Sequence, residues 1–200
     1  MKKLLMALLA LALMAGCSSQ PSKPAETVKP QPKPAELLTG RGAFQKLYIA
    51  ARSWAPDAKP YRLESSPSAD SNGHDGKSAI WRAGFASAVQ RGTKPYTWSG
   101  SEHGVNPGIE DTYNPNNAST TVFDAAFLKT DSTDAFDVAK KHGGDKLLEK
   151  APDTPVLYSL DWNRVTNELT WHVSYGTSRD EAKLKVDVNA ATGEFIRVEK

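Results

Sequence analysis

Four histidines, His74, His103, His142 and His172, are the side chains of this 200-residue chain best suited to moving a proton or holding a metal ion. None stands at a metal-ligand spacing from another, and neither an HExxH nor an HxH motif occurs. A zinc site would require His74 and His103 to converge through folding, with Glu102 or Asp75 as a further ligand. Ser99-Gly100-Ser101-Glu102-His103 places a hydroxyl, a carboxylate and an imidazole in one segment, the groups a hydrolase uses. Triad partners meet by folding, however, so adjacency says little, and a solvated loop is the simpler reading. There is no G-x-S-x-G elbow. The segment Asp70–Gly76 is rich in calcium-type ligands, but an EF-hand loop needs glycine at its sixth position and glutamate at its twelfth. Those positions hold Asp75 and Trp81. Gly143-Gly144 lacks the lysine-serine pair of a phosphate loop. The sequence therefore predicts no catalytic residue, no metal and no cofactor.

Aromatic residues offer binding rather than catalysis. Trp54, Trp81 and Trp171 fall on apolar faces and read as core. Trp98 and Trp162 stand beside Ser99 and Asn163, as residues at strand ends do. Exposed there, they could grip a peptide or a glycan, so Trp98, Trp162 and His103 are the candidate binding residues. His172 lies between Trp171 and Val173, which directs it to the side of a sheet opposite the aromatic stripe.

These residues must be positioned by helices and strands that the apolar pattern outlines. Ala43, Phe44, Leu47, Tyr48, Ala51 and Trp54 recur at spacings of three and four after Thr39, a good N-cap, and predict a helix that stops at Ala55-Pro56-Asp57. A second helix is predicted from an Asp131 or Ser132 cap through Ala135, Phe136, Val138 and Ala139. It ends at His142-Gly143-Gly144, where glycine accepts a left-handed conformation, and a short turn with Leu147 and Leu148 follows. Strict alternation in Leu169–Tyr175 and Leu184–Val188, followed by a turn at Ala190–Gly193 and a last run with Phe195 and Val198, predicts antiparallel strands with one buried face.

The two helix stops align. Ala55-Pro56-Asp57 followed by Tyr61 and Leu63 matches Ala151-Pro152-Asp153 followed by Tyr158 and Leu160; Trp81 and Phe85 then match Trp171 and Tyr175, and Tyr96 and Trp98 match Val186 and Val188. Helix, Ala-Pro-Asp break, strand, aromatic strand and strand thus occur twice, as an internal duplication would produce. The first copy carries two insertions. Ser65–Lys77 reads as a long flexible hairpin tip, and Ser99–Asn117 as an irregular loop before a strand near Thr120–Phe123.

Charge and compartment follow from the N-terminus. The formal net charge of +2 resides in Lys2 and Lys3, so the chain from Cys17 onward is balanced and has no electrostatic footprint for nucleic acid. Lys2-Lys3 and the apolar run Leu4–Ala15 form the basic and hydrophobic regions of a signal peptide, short of the about 20 apolar residues a permanent span requires. The single cysteine, Cys17, excludes an internal disulfide framework. Pro21, Pro24, Pro30, Pro32 and Pro34 lie in a Ser-, Lys- and Gln-rich stretch that reads as a disordered spacer extending at about 3 Å per residue, or as a proline-rich ligand.

Leu13-Met14-Ala15-Gly16-Cys17 resembles the bacterial lipobox, with Met14 where leucine is usual. The resemblance implies diacylglycerylation of Cys17 and anchoring in the cell envelope. Ser18 after the cysteine favours the outer membrane if the host has one. Val186-Asp187-Val188-Asn189-Ala190-Ala191-Thr192-Gly193-Glu194-Phe195 resembles the closing hairpin of PepSY-type domains. That resemblance implies a binding or inhibitory role toward an envelope protease or another protein, and it transfers no catalytic residue. The expected organisation is a signal peptide at 1–16, a Pro-rich linker at 17–37, a first helix-sheet unit at 38–130 and a PepSY-like unit at 131–200. The expected fold is α+β, two helix-plus-antiparallel-sheet units in tandem, each helix covering one face of its own sheet. The expected function is that of a non-catalytic, membrane-anchored lipoprotein with an envelope protein as partner. The alternatives are a glycan- or peptidoglycan-binding lipoprotein and, less favoured, a hydrolase built on His103 and Glu102.

Overall fold

Why each helix begins where it does is visible in its first turn. A computed structural model of the chain describes residues 33–116 and 120–199; the expected signal peptide, the lipobox, Cys17 and the linker up to residue 32 lie outside the described residues. Helix α1 (Gly40–Trp54) starts at Thr39, whose hydroxyl accepts the Gly42 N–H. Helix α2 (Ser132–Ala139) starts at Asp131 with a full capping box, Asp134 reaching back to the Asp131 N–H. A π-turn, Lys140–Gly144, then kinks the chain through Gly143, at φ 116°, into α3 (Asp145–Lys150), a helix where a short turn was expected. Both helical segments stop in the same way. Ala55 and Ala151 donate to the carbonyls of Ala51 and Leu147, and accept from Ala58 and Thr154 across the proline turns.

The strands are β1 (Leu38–Thr39), β2 (Lys59–Ser65), β3 (Lys77–Ser78), β4 (Ile80–Ser87), β5 (Gly92–Ser99), β6 (Gly104–Pro107), β7 (Asp111–Thr112), β8 (Val156–Asn163), β9 (Glu168–Tyr175), β10 (Leu184–Asn189) and β11 (Phe195–Glu199). Strands β1 and β3 make a small ladder of their own, and the other nine form one antiparallel sheet. Its order is β11-β10-β9-β8-β2-β4-β5-β6, with β7 on the lower end of β5. The expected tandem of separate sheets is therefore replaced by a single sheet. The edge strands β2 and β8 of the two halves pair with each other, Leu63 opposite Leu160. Pairing removes two unsatisfied edges at once, which two isolated sheets would have left open.

An approximate two-fold relation runs through that seam. Trp81 lies opposite Trp98 and Ala83 opposite Tyr96; in the other half Trp171 lies opposite Val188 and Val173 opposite Val186. The indole N–H of Trp81 donates to the Leu38 carbonyl at 2.9 Å, and that of Trp171 to the Thr130 carbonyl at 3.0 Å. Each acceptor immediately precedes a helix cap, so both tryptophans tie a strand to the start of its helix. The helix starts meet at the seam, where the Gly40 N–H donates to the Ser132 hydroxyl and the Arg41 N–H to Asp131. Gly40 has to be glycine because a Cβ there would lie 2.5 Å from the Trp171 ring. Both helices pack on the same face, over one core that includes Leu47, Leu63, Phe85, Leu160 and Val186. Trp81 and Trp171 meet edge to face in it, 6.4 Å apart, an arrangement worth about 0.5–1.5 kcal/mol beyond area burial.

Both insertions are more ordered than expected. The 66–79 segment is a strap and not a free hairpin tip. Val156 donates to the Asn72 carbonyl, Tyr158 Oη to that of Gly73 and Ser132 Oγ to that of Gly76. Gly73 and Gly76 take positive φ values where a Cβ would strike the Val156 carbonyl and the Thr133 backbone. In the second insertion β6 and β7 pair with β5 and extend the sheet. Among the described residues, Thr120–Phe123 form no strand. The Phe123 N–H instead bonds the Pro60 carbonyl, and its ring enters the core.

Candidate functional site

The helices leave the opposite face of the sheet uncovered, and alternation sends polar side chains there. The registers align one row across eight strands: Arg197, Asp187, His172, Ser159, Glu64, Arg82, Thr97 and Asn106. A parallel row places Asp161 beside Arg62, and another places Glu199 opposite Lys185. The loop between β9 and β10 carries Arg179 to this face.

His172 is the centre of the row and is 4% exposed. Its Nδ1 lies 2.6 Å from Asp187 Oδ1 and its Nε2 3.4 Å from Asp161 Oδ1. Only an imidazolium donates to two carboxylates at once, so the charged form is the one this setting selects. Burial opposes that charge, but the hydrogen bonds to Asp161 and Asp187 outweigh it and hold the His172 pKa above its ordinary value. Burial likewise works to raise both aspartates, and the His172 hydrogen bond and charge overcome it and hold them low, with Arg197 assisting at Asp187. Arg197 Nε donates to Asp187 Oδ2 at 2.8 Å. An Arg179 amino group lies 3.2 Å from His172 Nδ1. Both are donors, so that contact is a meeting of cations, neutralised by Glu199 Oε1 at 2.7 Å from Arg179 and 3.5 Å from His172.

The chemistry of this cluster is constrained. Both imidazole nitrogens face carboxylates, so neither is free to act as a general base on a substrate. His172, Asp187 and Glu199 could in principle converge on a metal ion. Here Arg197 takes Asp187, and Arg179 and Lys185 take Glu199, so the positive charge that an ion would supply is already in place.

Beside the cluster, over the β2–β8 seam, the same face holds a cavity of about 270 Å³. Arg62, Glu64, Ser159, Ser174 and Arg179 line it, together with Leu157 and Pro67. Arg62 is paired with Glu64 at 2.7 Å.

The residues expected from sequence fall elsewhere. Trp98 is 2% exposed, sits on the helix-covered face and has Lys46 Nζ 4.9 Å above its ring. Trp162 also points to the helix side, edge to face with Phe127 at 5.6 Å, and β2 and β4 stand between its strand and that of Trp98. The exposed aromatic pair expected for a glycan does not form, because both side chains share parity with the core residues of their strands. His103 adopts φ 51° and faces Glu36 at 3.7 Å, while Glu102 is engaged by Asn106. His74 bonds the Thr154 carbonyl at 2.8 Å, so the histidines weighed for zinc are tied to separate partners. What the sequence reading missed is the His172 cluster. Its signal was present: Asp161, His172 and Asp187 each stand between two apolar residues, and alternation sends all three to one face.

No known protein family and no curated protein matches the chain. Among solved structures the fold is similar to that of a "putative lipoprotein" from Clostridium difficile 630, with a TM-score of 0.50 and 13% identity, covering 76% of this chain and 91% of that one. At that identity the likeness speaks to the fold, an α+β arrangement with a large antiparallel sheet. No helix among the described residues is long and apolar enough to cross a membrane.

Proposed function

We propose that the chain is a lipid-anchored lipoprotein of the bacterial cell envelope, a non-catalytic module that engages an envelope protein through the open face of its sheet. The observation that carries this reading is the polar row from Arg197 to Asn106, which neither helix covers and which is accessible to solvent from Ser159 to Asn106. Alternating charge across a rigid sheet favours orientation and partner selection over raw affinity. The lipobox at Leu13–Cys17 supports the anchor, and an acylated cysteine carries the two chains that stable attachment needs. The PepSY-like closing hairpin supports a regulatory role toward a protease. Glu102 engaged by Asn106 and His103 facing Glu36 weigh against a hydrolase built on that pair.

Capture from solubilised envelope tests this reading. Full-length protein is the bait, with Arg82→Glu as the open-face variant and Arg41→Glu as the control on the helix side. A partner retained by the control and lost with Arg82→Glu supports the reading. Retention by both variants, or capture of cell-wall glycan alone, refutes it.

A further inference from the structure

We infer that the cavity over the β2–β8 seam is a carboxylate subsite that takes the C-terminal residue of an extended peptide, a deepening that rests on the open face being the binding surface. Arg62 spends one amino group on Glu64 and Arg179 one on Glu199; among the described residues the remaining N–H groups of both guanidiniums make no hydrogen bond. A guanidinium fork matches a carboxylate with two parallel hydrogen bonds. Hydroxyl donors complete the set. Ser174 is 3% exposed and lines the cavity, yet its hydroxyl makes no hydrogen bond among the described residues. Facing the cavity, that hydroxyl can donate to a ligand oxygen.

Charge and size narrow the class. Each arginine is half neutralised by its glutamate, and Glu64 stands on the cavity wall, so a single negative charge is accommodated where the doubly charged form of phosphate would meet a carboxylate. At about 270 Å³ the cavity falls below the usual range for a whole small-molecule ligand and suits one residue. Leu157 and Pro67 offer that residue an apolar wall. The uncovered sheet face around it has room for the chain that precedes it. Capture of a terminal carboxylate is a recurring mode of peptide recognition.

The test uses full-length protein in detergent micelles and fluorescence anisotropy of a fluorescein-labelled random hexapeptide pool. The same pool is compared with a free and with an amidated C-terminus. The expected result is binding of the free pool at least tenfold tighter than the amidated one. That preference should be lost in Arg62→Gln and Arg179→Gln, and reduced several-fold in Ser174→Ala, the variant least able to disturb folding. Near-ultraviolet circular dichroism verifies that each variant is folded. Equal binding of the two pools overturns the subsite, and so does a preference that survives in folded Arg62→Gln and Arg179→Gln. Displacement by inorganic phosphate reassigns the site to a different anion, and displacement by free leucine as effective as by the pool removes the peptide; either result overturns the proposal as stated. Terminus-independent binding that Arg82→Glu abolishes leaves the open-face reading standing, whereas binding insensitive to Arg82→Glu removes both.

Discussion

In the first half of the sheet the residue after the core tryptophan is Arg82, exposed on the open face; in the second half it is His172, buried among carboxylates. The neighbouring positions diverge in the same way. Glu64 beside Arg82 answers Ser159 beside His172, and Thr97 answers Asp187. On the helix side the halves agree, tryptophan for tryptophan and cap for cap. The difference teaches where a duplicated architecture is constrained. One continuous core has to be filled from both halves, so its inward residues keep their register and their bulk. The outer face has no such requirement, and in the second half the added edge strand β11 and the β9–β10 loop supply Arg197 and Arg179 to it, balancing buried acids. The first half ends at β6 and keeps its outer face open.

The comparison can be broken most forcefully at the tryptophans. Trp81→Ala and Trp171→Ala should each cost about 3–5 kcal/mol in denaturant unfolding, with similar values, since each loses a buried indole and a bond to a helix start. A large cost in one half alone would contradict the two-fold relation. At the outer positions the halves should differ. Asp187→Ala removes the shortest partner of His172 and the acceptor of Arg197 Nε from a fully buried site, leaving Asp161 and Glu199 to share the charge, and should cost about 3 kcal/mol. Thr97→Ala at the equivalent position should stay within about 0.5 kcal/mol. The helices offer a smaller contrast: α1 runs without a break, whereas its counterpart kinks at Gly143, where an added Cβ would meet only ordinary contacts with Leu184. Gly143→Ala should therefore cost about 1–2 kcal/mol, the conformational penalty of the left-handed region alone, as measured by the midpoint of urea unfolding.

The smallest effect is one of pH, and it too separates the halves. The His172 pKa is raised on folding, so its contribution is fully present below its ordinary value of 6.5 and fades as pH rises through the folded value. Asp161 and Asp187 are lowered, so theirs is present above 3.8 and fades as pH falls through the folded values. Melting temperature should accordingly peak between these limits. His172→Gln should remove the decline on the alkaline side, and Arg82→Gln should leave the profile unchanged.

Much of the covered face was legible in the sequence. Three-and-four spacing marked both helices, Thr39 and Asp131 marked their starts, and the offset between Trp81 and Trp98 equals that between Trp171 and Val188 because both pairs stand in the same register. These are local or periodic signals. The seam was not legible, since nothing within β2 or β8 says which strand completes its edge. The strap was misread because its Asn-Gly and Asp-Gly pairs describe a turn equally well in solvent or against Val156 and Ser132. The short β6 and β7 have their pairing written in β5 and not in themselves. Trp98 was misplaced because the adjacent Ser99 suggested a strand end, while the parity it shares with Tyr96 already put it inside. Alternation revealed the facing of His172, but its carboxylate partners became visible only once three strands were set side by side.

The seam also has a consequence in time. The hydroxyl of Ser65 on β2 accepts from the Tyr158 N–H on β8, 93 positions later, so the centre of the sheet is its longest-range pairing. Loops of that length close slowly, and pairing between distant strands delays the rate-limiting step of folding. A chain emerging vectorially from N- to C-terminus would complete β2, β4 and β5 while β2 still lacked its neighbour. During that interval the edge that becomes the middle of the molecule is an adhesive one, open to a second copy of the same strand. Refolding should therefore lose yield steeply with protein concentration, and a truncation ending before β8 should aggregate where the full-length chain does not.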